Sequence, residues 1–125
     1  MLRLFFYGVG RHIPMMIDTG FTMEVLMDRK AAETAQLVST DTIRSGVLAS
    51  GRLQLFKVYQ GEVEWFGQRK QVEVDVPIHE DNDARNESYF LGAAETVPVI
   101  GTKLLSFTRL EINFVDQTLT VKKLM

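Results

Sequence analysis

Gln71-Val72-Glu73-Val74-Asp75-Val76 alternates polar and apolar residues without a break. Successive side chains on a strand point to opposite faces, so this run is expected to form a strand with one wet face and one buried face. Short runs with the same strand character recur along the chain. Residues 2–7 and 11–17 are expected to pair across Gly8-Val9-Gly10. Residues 41–77 read as a meander of long hairpins, with turn signals at Ala49-Ser50-Gly51, Gln60-Gly61 and Gly67-Gln68. Val97-Pro98-Val99-Ile100 is an apolar strand ending at Gly101, and residues 109–115 and 119–124 predict a terminal hairpin around Asp116-Gln117.

Helical signals are few. Asp28 offers an N-cap, and residues 29–36 have helical composition with Ala31, Ala32 and Ala35 on one side. Residues 103–107 predict a second short helix with Leu104 and Leu105 buried. Residues 22–27 form one more short apolar run, and residues 79–96, acidic at first, read as a surface loop. The sum is a mostly β chain with one or two short helices, in a closed or sandwiched architecture.

With 125 residues, of which 46% are hydrophobic, the chain is read as one domain, 1–125, with one core. Its net charge of −2 gives no electrostatic case for nucleic acid or for an anionic membrane as partner. No stretch approaches the roughly 20 apolar residues of a membrane span, and residues 2–7 are too short for a signal peptide's apolar region. There is no cysteine, which excludes disulfides, thiol catalysis and Cys-ligated metal, and which fits a cytoplasmic location.

The chemistry-bearing segment is Met15-Met16-Ile17-Asp18-Thr19-Gly20-Phe21, an apolar strand running into an Asp-Thr-Gly turn. The tripeptide alone is weak: average residue usage puts it in roughly 2% of random chains of this length. Its context is stronger, because an ionisable group at the end of a buried strand is costly unless hydrogen bonding or function justifies it. Downstream, Val99-Ile100-Gly101 leads into Thr102-Lys103-Leu104-Leu105, and Ala49-Ser50-Gly51 stands between the two landmarks.

In these three ordered landmarks the chain resembles the retropepsin-like aspartic proteases, above all their bacterial single-domain members, over nearly its whole length. The resemblance implies an all-β acid-protease fold, a small closed barrel per subunit, and a symmetric dimer with the cleft between subunits. It implies that Asp18 is the catalytic acid or base, that Thr19 braces the paired loops across the dimer axis, and that Gly20 lets the backbone approach carboxylate and substrate. Substrate contacts would come from Phe21, Ile100 and a flap hairpin carrying Gly46, Ala49, Ser50 and Gly51. The expected activity is peptide-bond hydrolysis by water, with a peptide or unfolded protein as substrate and no cofactor. Only one Asp-Thr-Gly is present, so the second carboxylate must come from a second copy.

The chain also departs from the retroviral pattern. Phe21 stands where those members carry Ala or Ser, which implies a narrower subsite. Thr22 and Met23 replace acidic residues, and Thr102 replaces an Arg, so the retroviral ion pair is absent. The amino terminus lacks the extra interleaving strand, which moves the expected dimer contact toward residues 119–124. The insert around residues 79–90 is longer and has no assigned role.

Other candidates have plain alternatives. His12 and His79 lack ligand partners at metal spacing and read as surface or packing residues. Glu80, Asp81, Asp83 and Glu87 could suggest calcium, but no Gly stands at the bend of an EF-hand, so a solvated loop is the simpler reading. Met15, Met16, Met23 and Met27 read as adaptable core packing first and pocket lining second. Trp65 and Phe66 either cover the core or offer a partner site. The competing reading of the whole chain is a catalytically silent dimerisation or peptide-binding module; a weaker one is an unrelated β-barrel ligand binder with a chance motif.

Overall fold

The computed structural model describes residues 2–47, 51–78 and 97–124. Nine strands and one helix are present among them. Six of the strands close into a barrel. Strand β1 (Leu2–Phe6) pairs antiparallel with β2 (Arg11–Ile17) through a turn at residues 7–10, as the two flanking glycines suggested. The end of β2 then runs parallel to β7 (Val99–Ile100), with Met16 opposite Val99 and Ile17 opposite Ile100. Strand β7 pairs antiparallel with β3 (Val25–Leu26), and β3 runs parallel to β6 (Gln68–Pro77). The long antiparallel ladder of β6 with β5 (Leu53–Trp65) completes the ring, because Phe6 of β1 also pairs with Val63 of β5.

Period-two patterning fills the ring. Val72 and Val74 of β6 point inward with Phe6, Met15, Val25, Val63 and Ile100, all completely buried. The helix α1 (Arg29–Thr34) plugs one side: Ala32 and Ala35 are fully buried, and small side chains let the helix sit close. Asp28 caps it as expected, its Oδ1 accepting the amide of Ala31 at 2.7 Å. Among the described residues no helix is long and apolar enough to cross a membrane.

Two elements lie outside the ring. Among the described residues strand β4 (Val38–Val47) pairs only with β5 and carries a register break between Ser39 and Ile43. Beyond the break residues 43–47 pair with residues 53–57, of which Phe56 and Lys57 still pair with β6, so only the outer end of this hairpin lies past the β5–β6 ladder. Strands β8 (Thr108–Asn113) and β9 (Thr118–Lys123) form a separate two-stranded sheet.

Three local expectations need correction. Gln60-Gly61 is not a turn; it lies inside β5, where Gly61 faces Val72 and the Leu37 side chain packs onto its bare Cα. The glycine there serves close packing. The hairpin turn expected at Gly67-Gln68 falls at Phe66-Gly67, both with positive φ, which matches the twist of a tight two-residue connection. Residues 103–107 form successive turns instead of a helix: only the amide of Leu105 reaches back four residues, to Gly101, while those of Ser106 and Thr108 reach back three. Leu104 is nonetheless buried, as expected, whereas Leu105 is only half-buried against the core.

Candidate functional site

Asp18 sits where β2 ends. Its backbone amide donates to the Ile100 carbonyl at 3.0 Å, the last bond of the parallel β2–β7 ladder. The chain then turns away from the barrel. The Phe21 amide closes the turn on the Asp18 carbonyl at 3.1 Å, and the Gly20 amide donates to Asp18 Oδ1 at 2.8 Å. Asp18, Thr19 and Gly20 are all exposed, so the carboxylate faces outward on a loop whose backbone is fixed. A Cβ on Gly20 would stand 3.1 Å from Asp18 Oδ1, a tight approach to which the Asp18 side chain would have to yield.

The loop is held from beneath by the second landmark. The amide of Gly101 donates to the Glu24 carbonyl at 2.9 Å, that of Thr102 to Phe21 at 2.8 Å and that of Lys103 to Met23 at 3.3 Å. A side chain at Gly101 would overlap the carbonyl oxygens of Phe21 and Met23. Asp18-Thr19-Gly20-Phe21 and Gly101, far apart in sequence, are therefore one structural unit.

The ladder register sorts side chains between the two faces. Ile17, Ile100, Val25 and Val74 turn to the core; Val99, Leu26 and Asp75 turn to the outer face. Leu26, Phe56 and Val99 pack there with Phe21 into a small apolar floor. This corrects one expected contact: the Ile100 side chain is completely buried and cannot meet a substrate, because the strand's pleat turns Val99 outward instead. Ile100 serves the site through its carbonyl. Phe21 is half-buried against Leu26, Phe56 and Val99.

Gly46 and Gly51 belong to the outer end of the β4–β5 hairpin. Gly46 lies over Phe56, where a Cβ would come 3.2 Å from its ring, and Gly51 has a positive φ at the return into β5. Ala49 and Ser50 lie outside the described residues, as do His79, the loop over residues 79–96 and the acidic cluster of Glu80, Asp81, Asp83 and Glu87.

Charged residues that the sequence did not single out tie the hairpin to the floor. Arg44 of β4 lies 3.3 Å from Glu73 Oε1 and 3.3 Å from Asp75 Oδ1, and its Nη1 lies 3.8 Å from the Met23 sulfur. The Asp75 side chain is 2% exposed. Burial pushes its carboxyl up from the ordinary range, Arg44 and Lys103 oppose that shift, and Glu73 and Glu24 add to it. The expected wet face of Gln71–Val76 is thus not wet at Asp75, because Arg44 reaches across from β4 to cover it. Glu24, also buried, accepts the Glu73 amide at 2.9 Å where the short β3–β6 ladder begins.

Elsewhere, the final hairpin is two-faced. Glu111 is paired with Lys122 at 3.1 Å and Arg109 at 2.9 Å on one face, and the Lys122 hydrogen bond holds the Glu111 carboxyl below its usual range. Ile112 lies on the other face opposite Leu119, and Ile112, Phe114 and Val115 are 56%, 85% and 92% exposed. A groove of about 850 Å³ runs between the β5–β6 turn and the base of this hairpin, lined by Trp65, Phe66, Lys70, Lys103 and Phe107; the Asp18 loop does not line it. Among the described residues, the Asp18 side chain accepts the Gly20 amide and belongs to no cluster of three or more potential metal ligands. Comparison with family models, with curated proteins and with solved structures yields no match.

Proposed function

We propose that the chain is a retropepsin-like aspartic endopeptidase that works as a homodimer, with two copies of Asp18 forming one catalytic pair. The observation that carries this reading is the Asp18 loop itself: an exposed carboxylate on a backbone braced by Ile100 and by the segment around Gly101. An ordinary polar turn needs neither the brace nor the acid. The final hairpin supports the second copy. A lone two-stranded sheet is marginally stable in water, and this one carries Ile112, Phe114, Val115 and Leu124 exposed, together with Phe107 just before it. A symmetric partner would cover them.

Two carboxylates brought to within a few ångströms cannot both be charged easily, so the pair shares one proton. The ionised member takes a proton from a water between them. The oxygen of that water attacks the scissile carbonyl carbon, while the protonated member donates to the carbonyl oxygen. The tetrahedral adduct then collapses: one of its hydroxyls returns a proton to the second carboxylate, the C–N bond breaks, and the amine leaves with the proton the first carboxylate took. Aspartic proteases are a standard example of this logic. An extended peptide or unfolded protein segment would lie on the floor of Phe21, Leu26, Phe56 and Val99, beneath the β4–β5 hairpin. Neither nucleic acid nor membrane is a partner in this reading, and a chain without cysteine suits the reducing cytoplasm.

The second reading is a silent peptide-binding or dimerisation module, for which the same floor and hairpin would serve. Cleavage of an unstructured protein across acidic to neutral pH separates the two. The expected result is cutting by the wild type and none by Asp18→Asn; equal inertness of both at a concentration where the chain is dimeric overturns the enzyme reading.

A further inference from the structure

Residues 43–47 of β4 are tied to the rest of the molecule by a small set of contacts. Among the described residues they pair, beyond the register break, with β5 alone, and Arg44 reaches from this half-strand down to the floor. It meets Glu73 and Asp75 on β6 and Met23 in the loop after Asp18. The Asp75 side chain is almost wholly buried and that of Arg44 is 25% exposed. Their contact is close but not aligned as a hydrogen bond, and Arg44 Nε and Asp75 Oδ1 both lack a hydrogen-bond partner among the described residues. A buried carboxylate without a compensating cation is costly, and the cheapest escape is to let water in. Here the element that can lift is the half-strand that carries Arg44.

We propose that Arg44 is a positioning residue whose guanidinium compensates the Asp75 carboxylate, and that this compensation keeps residues 43–47 of β4 closed over the barrel floor at neutral pH. Four charged groups face Asp75: Arg44 from β4, Glu73 from β6, Glu24 from the turn before β3 and Lys103 from the segment after β7. Two are acidic, so Arg44 and Lys103 together only balance Glu24 and Glu73. Removing Arg44 leaves an acidic, dry cluster. It relaxes either by Asp75 taking a proton, when the medium supplies one, or by opening of the hairpin to hydrate it. The role in catalysis rests on the proteolytic reading above, since the closed hairpin would form the roof over an extended substrate; the closure itself does not.

Hydrogen exchange of amides 43–47, followed from about pH 4 to about pH 7, tests the closure. The wild type is expected to stay protected throughout. Arg44→Met, which keeps an apolar stem, is expected to lose about tenfold in protection near neutral pH and to regain it in acid. The double variant Arg44→Met/Asp75→Asn, with no carboxylate left to hydrate at that position, is expected to be protected at every pH. Equal loss at all pH values in Arg44→Met, no loss at all, or failure of the double variant to recover overturns the proposal. Should Arg44→Met not fold, the double variant decides alone: a folded and protected hairpin supports the proposal, and an unfolded or unprotected one overturns it. Where cleavage is measurable, Arg44→Met is expected to raise KM severalfold with kcat little changed, and the double variant to reverse this. If Asp18→Asn and wild type prove equally inert, the proteolytic reading falls while the exchange result still decides the closure.

Discussion

Gly101 lies so close beneath Met23 that a single methyl group on it would overlap the Met23 carbonyl, and this contact fixes the loop that presents Asp18. Gly101→Ala is therefore expected to cost about 3 kcal/mol in chemical denaturation, because backbone, not a flexible side chain, stands in the way. Gly67→Ala is the control. Nothing lies within 4 Å of its added methyl group, and only its φ of +78° resists, so the expected cost is about 1 kcal/mol.

Asp18→Asn is expected to lower peptide cleavage about a thousandfold or more, as loss of a general acid–base group does, with the midpoint of denaturation almost unchanged since the side chain is exposed. In the wild type, activity is expected to fall on both sides of the pH at which the pair carries one proton. A single ionisation governing the whole profile would count against a shared pair.

Ile112→Asp places a charge on the apolar face of the final hairpin, opposite Leu119. It is expected to shift the sedimentation mass from dimer to monomer and to abolish cleavage, while the near-ultraviolet signal of Trp65 stays the same. A variant that remains dimeric and active would locate the association surface elsewhere.

Asp75→Asn reverses the usual expectation for a buried ion pair. Burial, the largest influence, raises the folded-state pKa of Asp75 above its ordinary 3.8. A raised folded value means a stabilising contribution that is fully present below the unfolded pKa and is lost as pH rises through the folded one. The variant is thus expected to match the wild type in strong acid and to be the more stable protein at neutral pH, in paired denaturant titrations. Wild type being the more stable at neutral pH would show that Arg44 outweighs the burial.

Much of the fold was legible because it rests on local rules. The alternation of Val72, Val74 and Val76 set the inward face of β6, the glycines at 8 and 10 placed the first turn, and Asp28 marked the start of α1. The misread elements share a different cause. Gly61 looked like a turn because a glycine demanded by a distant Leu37 carries the same letter as one demanded by a turn. Residues 103–107 have helical composition, but Leu104 docks into the barrel before a helical turn can repeat. At the site, Asp18 and Gly101 were both visible, yet their union depends on two-residue ladders between strands at opposite ends of the chain. Arg44 left no signal at all: its importance comes from Asp75 and Glu73 across the sheet, and no spacing in the sequence encodes that meeting.

Strand closure through Phe6 and Val63 separates folding from association. The ring is complete in β1, β2, β3, β5, β6 and β7, so neither β8 nor β9 supplies it with a rung. Substitutions at Ile112, Phe114 or Val115 are therefore expected to alter association while the valines of the barrel interior stay packed as they are. The surface offered to a partner can thus be redesigned without touching the closure that makes the barrel fold.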